Sequence, residues 1–349
     1  MSVNKVFIIG AGASKEVNIP TGSELKTNIP NLLNMQWDWH AQDKLQSGDY
    51  LIAGALREHV RHADGRNGDI NPYVHEARNI RDALPLAISI DRFIDTHRDN
   101  EKIVLCGKLA IVRSILLNER NSLLYYDQTM GAKLNFSRLE KTWYNPFFQL
   151  LAENCRPENI TQRLESITLI VFNYDRCVEH FIYNALQYFY RVPAQEAIEL
   201  VKHINIFHPY GTVGNLPWLG QDATMEFGQE PLPKQLLELS QKIKTYAEGT
   251  DPSASEILNI REHMRKANTV VFLGFAFDQL NMELINPSQV DATTSDGIKC
   301  FATTYGISAS DSNHIKKDIS NLYHGSIDVQ TANLTCSGLF QEYRRPLSF

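Results

Sequence analysis

An apolar run, Val6-Phe7-Ile8-Ile9, passes straight into Gly10-Ala11-Gly12-Ala13-Ser14, and Asn18-Ile19-Pro20-Thr21-Gly22 follows a few residues on. The β-branched and aromatic side chains predict a buried strand. Gly10 and Gly12 allow a tight turn with close backbone approach, and small Ala13 and Ser14 let a following helix aim free N–H groups at a pyrophosphate. A dinucleotide oxidoreductase would carry G-x-G-x-x-G, and here Lys15 holds the third glycine position. A Gly-rich turn can join any buried strand to any helix, so the remaining chain has to decide between the two readings.

Five further β-rich runs recur later, at Ile167 to Phe172, His203 to Phe207, Thr269 to Leu273, Ile298 to Thr303 and Ser326 to Val329. Helical segments lie between them: Arg176 to Phe189, Ser253 to about Lys266 with a Ser-x-x-Glu capping box to Glu256, and Asp311 to Tyr323. Six strands alternating with helices predict an α/β fold with a Rossmann-like, doubly wound, mostly parallel six-stranded sheet. Helical periodicity fills the gap from Glu24 to Asn154, with Leu84, Ile88, Phe93 and Ile94 in one segment and Ile103 to Leu117 in another. The expected organisation is a nucleotide-binding domain from residues 1–24 and 155–349, with residues 25–154 as an inserted helical subdomain beside the ligand cleft. Gly211 to Pro233 reads as a long loop of the kind that forms lids or binding segments.

A chain of 349 residues with a net charge of -6 argues against a broad nucleic-acid surface. Arg57, His59, Arg61, His62 and Arg66 cluster locally, as a solvated face or a subunit contact. His59 and His62 share a helix face but lack a third ligand nearby, so no metal site is expected. Cys106, Cys155, Cys177, Cys300 and Cys336 contain no C-x-x-C pair, which excludes a zinc ribbon. An odd cysteine count without a secretory leader predicts a reduced, cytoplasmic protein, and no stretch reaches transmembrane length.

Ligands of open α/β sheets sit outside the carboxyl ends of the strands. Those ends here are the Gly10 to Ser14 turn, Asn173-Tyr174-Asp175, His208-Pro209-Tyr210-Gly211 and Gly274-Phe275-Ala276-Phe277-Asp278. His208 suits a base working near neutral pH, or a structural role after its strand. Asn173 and Asp175 fit either ligand contact or an N-cap for the next helix. Asp278 and Asn281 read as ribose ligands or as the start of a helix, Asp91 as a cleft or a surface carboxylate, and Cys177 as a small buried thiol.

Together these motifs resemble the Sir2 superfamily, and within it the bacterial SIR2-like NAD-hydrolase group associated with anti-phage defence. Gly10-Ala11-Gly12-Ala13-Ser14 looks like the G-A-G-x-S loop of that family, and Asn18-Ile19-Pro20 like the G-I-P segment after it. Phe172-Asn173-Tyr174-Asp175 is similar to Q-N-x-D with Phe in place of Gln. His208-Pro209-Tyr210-Gly211 resembles the H-G element with two residues inserted, and Ser89-Ile90-Asp91-Arg92-Phe93 resembles the S-I-D-x-F helix of the subgroup. Two departures stand against deacylation: the zinc cysteines are missing, and Thr21-Gly22-Ser23 stands where an arginine normally follows G-I-P.

The resemblance implies an NAD⁺ glycohydrolase that releases nicotinamide and ADP-ribose, with NAD as substrate and no zinc. Asn173 and His208 would be catalytic. Gly10, Ala11, Gly12, Ser14, Pro20, Thr21, Asn173, Asp175, Gly274 and Phe275 would bind NAD. It further implies a homo-oligomer held inactive until triggered, with any ATPase or sensor partner on a separate chain because no Walker motif is present. An NAD-dependent protein deacylase or ADP-ribosyltransferase, and a non-catalytic NAD or ADP-ribose sensor, are the alternatives.

Overall fold

The first strand, β1 (Lys5–Ile9), is buried along its whole length because it lies in the middle of a sheet. In this computed structural model the described residues are 4–38, 44–64, 68–220, 224–245, 248, 254–289, 297–323 and 327–349, the side chains of 62–64 excepted. The other strands are β2 (Gln36–Trp37), β3 (Leu45–Ser47), β4 (Ile167–Val171), β5 (Asn205–Phe207), β6 (Thr269–Leu273), β7 (Ile298–Thr303) and β8 (Ile327–Ala332). Six of them form one sheet in the order β5-β4-β1-β6-β7-β8, and every pairing is parallel.

This is the α/β, Rossmann-like architecture expected from the strand and helix alternation. The chain runs outward from β1 through β4 to β5, then returns and runs outward the other way through β6, β7 and β8. The reversal places a topological switch point between β1 and β6, where such sheets form their ligand crevice. Ile9 pairs with both Val171 and Leu273, so the chain leaves three adjacent strands at one level. Gly10, Phe172 and Gly274 follow immediately, and the Gly10 N–H donates to Leu273 O at 2.9 Å.

The segment between β1 and β4 is mainly helical, with Glu101–Asn121 as its longest helix, and also carries the antiparallel pair β2 and β3. That pair was hidden by its shortness. The helix Tyr144–Ala152, late in the same segment, packs on the central sheet: Phe147 meets Phe7 edge-to-face with ring centroids 5.1 Å apart. Ser253 and Ser326 lie outside the described residues, so the capping box at Ser253 does too. The helix there spans Ser255–Arg265, and Glu256 pairs with Lys244 at 3.1 Å. The third expected helix spans Ala309–Ser320, capped by the Ser308 hydroxyl. Within the described residues no helix is long and apolar enough to cross a membrane.

Candidate functional site

The glycines after β1 are required by the loop after β6. A Cβ on Gly10 would sit 2.4 Å from Gly274 O, and one on Gly12 would sit 2.8 Å from the Gly274 Cα. Gly274 has φ +54°, and its own Cβ would fall 2.2 Å from the Ala13 nitrogen. The two loops therefore interlock backbone to backbone, and the Gly12 N–H donates to Gly274 O at 3.0 Å. This contact takes up one of the N–H groups at the helix start that would otherwise be free for a phosphate. The helix Ala11–Lys15 is also only five residues long. Phe275 is buried with its ring 5.0 Å from Phe172 and 5.1 Å from Phe277, making an apolar floor behind the turn.

Pro20 is buried, and Thr21 has a local task as the N-cap of the helix Gly22–Leu33. Its hydroxyl accepts from the Glu24 N–H at 3.4 Å, while Glu24 Oε2 accepts from the Thr21 N–H at 3.0 Å. Such a reciprocal capping box satisfies two donors at a helix start.

Ser14 and Asn173 come together as the strand-end reading expects. Asn173 Nδ2 donates to Ser14 Oγ at 2.8 Å, and both residues are buried. Asp175 serves partly as a cap, since its Oδ1 accepts from the Cys177 N–H at the start of the helix Cys177–Phe189 at 3.1 Å. Its Oδ2 is buried without a hydrogen-bond partner. Burial raises the Asp175 pKa above its ordinary value, against the pull of the neighbouring Ser14 hydroxyl and the Cys177 N–H.

His208, at the end of β5, meets a partner the motifs do not contain: its Nε2 lies 2.5 Å from Oε1 of Glu179. Burial is the largest influence on the imidazole and would lower its pKa. The Glu179 charge and hydrogen bond, the Asp175 charge and the Asn173 carbonyl outweigh it and raise the pKa above 6.5. Glu179 lies four residues after Asp175. Asp175 precedes the Arg176 N-cap and so lies outside the helix, and no local pattern in the sequence marks Glu179 as the partner of His208.

The helix Ile90–Thr96 closes over these strand ends. The Tyr174 hydroxyl donates to Asp91 Oδ1 at 2.5 Å, and Arg92 Nη2 reaches Asp278 Oδ2 at 2.6 Å. Asp91 is therefore no surface carboxylate, and burial raises its pKa despite the Tyr174 hydrogen bond. Asp278 is the N-cap of the helix Gln279–Leu284, accepting from the Leu280 N–H at 3.0 Å, and Asn281 accepts from the Tyr210 hydroxyl at 2.6 Å. Both are occupied within the fold.

Other singled-out residues lie apart from this cluster or have structural partners. His59 Nε2 faces the Tyr73 hydroxyl at 3.1 Å, whereas the His62 and Arg66 side chains lie outside the described residues. All five cysteines are buried free thiols, and burial pushes Cys177 well above its ordinary pKa. No protein-family model matches the chain, and no curated protein matches it.

Proposed function

We propose that the protein is a Sir2-like NAD⁺ glycohydrolase that splits the nicotinamide–ribose bond. The observation that carries this reading is a set of three buried atoms without a hydrogen-bond partner at the strand edge: Asp175 Oδ2, Glu179 Oε2 and His208 Nδ1. Orphaned buried polar atoms are costly, and a site keeps them where a ligand supplies the missing partners. Carboxylate oxygens accept hydrogen bonds only, so the matching ligand is rich in hydroxyl donors, as a ribose is. The position beside a glycine turn at the switch point favours a ribose carried by a dinucleotide.

The residues fit the chemistry. The electron pair of the breaking C1′–N bond leaves on the pyridine nitrogen, which becomes neutral, so no strong general acid is needed. The developing charge resembles an oxocarbenium ion. Asn173 would orient water or a ribose hydroxyl. His208 would take the proton of the water that adds at C1′ and pass it to solvent. NAD⁺ and water thus give nicotinamide, ADP-ribose and a proton. The resemblance extends the proposal to a defence effector whose hydrolysis is restrained until it is triggered.

The test is incubation with NAD alone and with candidate partners, following nicotinamide release. His208→Ala and Asn173→Ala should each lower turnover by about 10²-fold or more. Unchanged turnover in both variants would reject the assignment. Release that needs an added acceptor protein would indicate transfer, and NAD binding without turnover under any activating condition would indicate a sensor.

A further inference from the structure

Glu179 stands outside every motif that the resemblance rests on, yet it makes the closest contact to His208. We infer that Glu179 is a positioning residue: by taking the Nε2–H of His208 it fixes the ring's tautomer and leaves Nδ1 to accept the proton in the reaction. A neutral imidazole carries one donor and one acceptor nitrogen, and a carboxylate can only accept. The 2.5 Å contact between Glu179 Oε1 and Nε2 therefore places the ring proton on Nε2. Nδ1 then holds the lone pair: it makes no hydrogen bond, and the Asn173 carbonyl beside the ring favours the form in which the imidazole has taken up a proton.

The surroundings isolate this pair as a unit. Glu179 projects from the first turn of the helix Cys177–Phe189 and His208 follows β5, so two rigid elements set the approach. The other titratable groups facing the carboxylates are Cys177 and Tyr144, and burial holds both neutral by raising their pKa values well above ordinary. Asp175 also faces the ring, with its pKa raised by burial. Glu179 is thus the main charge opposing the desolvation of His208. Its removal should let that pKa fall below 6.5.

The role in turnover rests on the NAD⁺ glycohydrolase reading, whereas the pairing itself can be tested without NAD. Nitrogen-15 NMR of the wild-type imidazoles should show His208 titrating above 6.5, with the proton on Nε2 in the neutral form. Glu179→Gln, which keeps the side chain's shape, should move that midpoint below 6.5. In the NAD assay the same variant should lose about 10²-fold in kcat, with the acid limb of the profile at lower pH. A wild-type Nδ1–H tautomer, or the same His208 midpoint in both proteins, overturns the inference. If Glu179→Gln does not fold, the wild-type tautomer decides. The Nε2–H tautomer without NAD turnover would uphold the pairing and reject only the glycohydrolase reading.

Discussion

Arg176 grips Glu119 with two hydrogen bonds, Nε to Oε1 at 3.0 Å and Nη2 to Oε2 at 2.6 Å, and both side chains are buried. Arg176 Nη1 also donates to Met225 O at 2.6 Å, and Glu119 Oε2 accepts from the Gly228 N–H at 3.1 Å. Arg113, on the helix Glu101–Asn121 that also carries Glu119, makes a second buried pairing, bound to Asp49 at 2.8 Å and to Glu230 at 2.9 Å. The described parts of the 211–233 loop are thus tied to the helix Glu101–Asn121 by the Arg113–Glu230 ion pair and the Gly228 hydrogen bond, and to Arg176 by the hydrogen bond at Met225 O.

Breaking a buried pair strands its partner's charge, at about 3–5 kcal/mol. Glu119→Ala should therefore lower unfolding stability by about that amount, and adding Arg176→Met should recover much of the loss. Urea denaturation of the two proteins checks this. A single-variant cost under about 1 kcal/mol would show that the pair is not held as described.

The interlocked glycines predict a sharp contrast between neighbouring positions. Gly12→Ala and Gly274→Ala drive a methyl into backbone and should cost about 3 kcal/mol or more, or prevent folding. Nothing lies within 4 Å of a Cβ at Gly22, so Gly22→Ala should be neutral or stabilise by up to about 1 kcal/mol. Thermal melts of the three variants suffice, and equal melting points for Gly12→Ala and Gly22→Ala would refute the packing.

Asp91 and Arg92, adjacent on one helix, hold the loops after two different strands. Arg92→Ala should loosen the 274–278 loop and Asp91→Asn the 172–176 segment, each read as faster amide exchange there with β1 unaffected. Under the proposed function, Arg92→Ala should also raise basal nicotinamide release by uncovering the strand ends. Slower release with faster exchange would mean that the closed helix is needed for turnover.

His180, next to Glu179, is buried with its ring stacked on Phe227, centroids 4.1 Å apart, and burial lowers its pKa from 6.5 to about 3. The unfolded chain takes up this proton below 6.5 while the native protein refuses it until about 3. The stabilising contribution is therefore complete above 6.5 and is lost as the pH falls through that window, on the order of 5 kcal/mol across it. In His180→Gln, the loss of stability between pH 7 and pH 4 should be smaller than in the wild type by about 3 kcal/mol. Equal losses in paired urea titrations would contradict the burial of a neutral ring.

Local patterns in the chain were enough to place the six strands of the central sheet, their alternation with helices, the glycine turn at the switch point and the polar strand ends. Each of these is a local pattern: β-branched runs, helical periodicity, or small residues where backbones meet. The sequence also brought Ser14, Asn173, Asp175 and His208 to one edge of one sheet, because parallel strands must leave the sheet on the same side. Tertiary structure alone decided which side chains pair. Glu179 with His208, Arg176 with Glu119 and Arg92 with Asp278 are separated by 29, 57 and 186 residues, and pairing across elements leaves no periodic trace in the chain. It also reassigned Thr21 to a helix cap and the Gly12 N–H to the neighbouring loop. In both cases a nearby backbone group satisfies what local pattern had left open for a ligand.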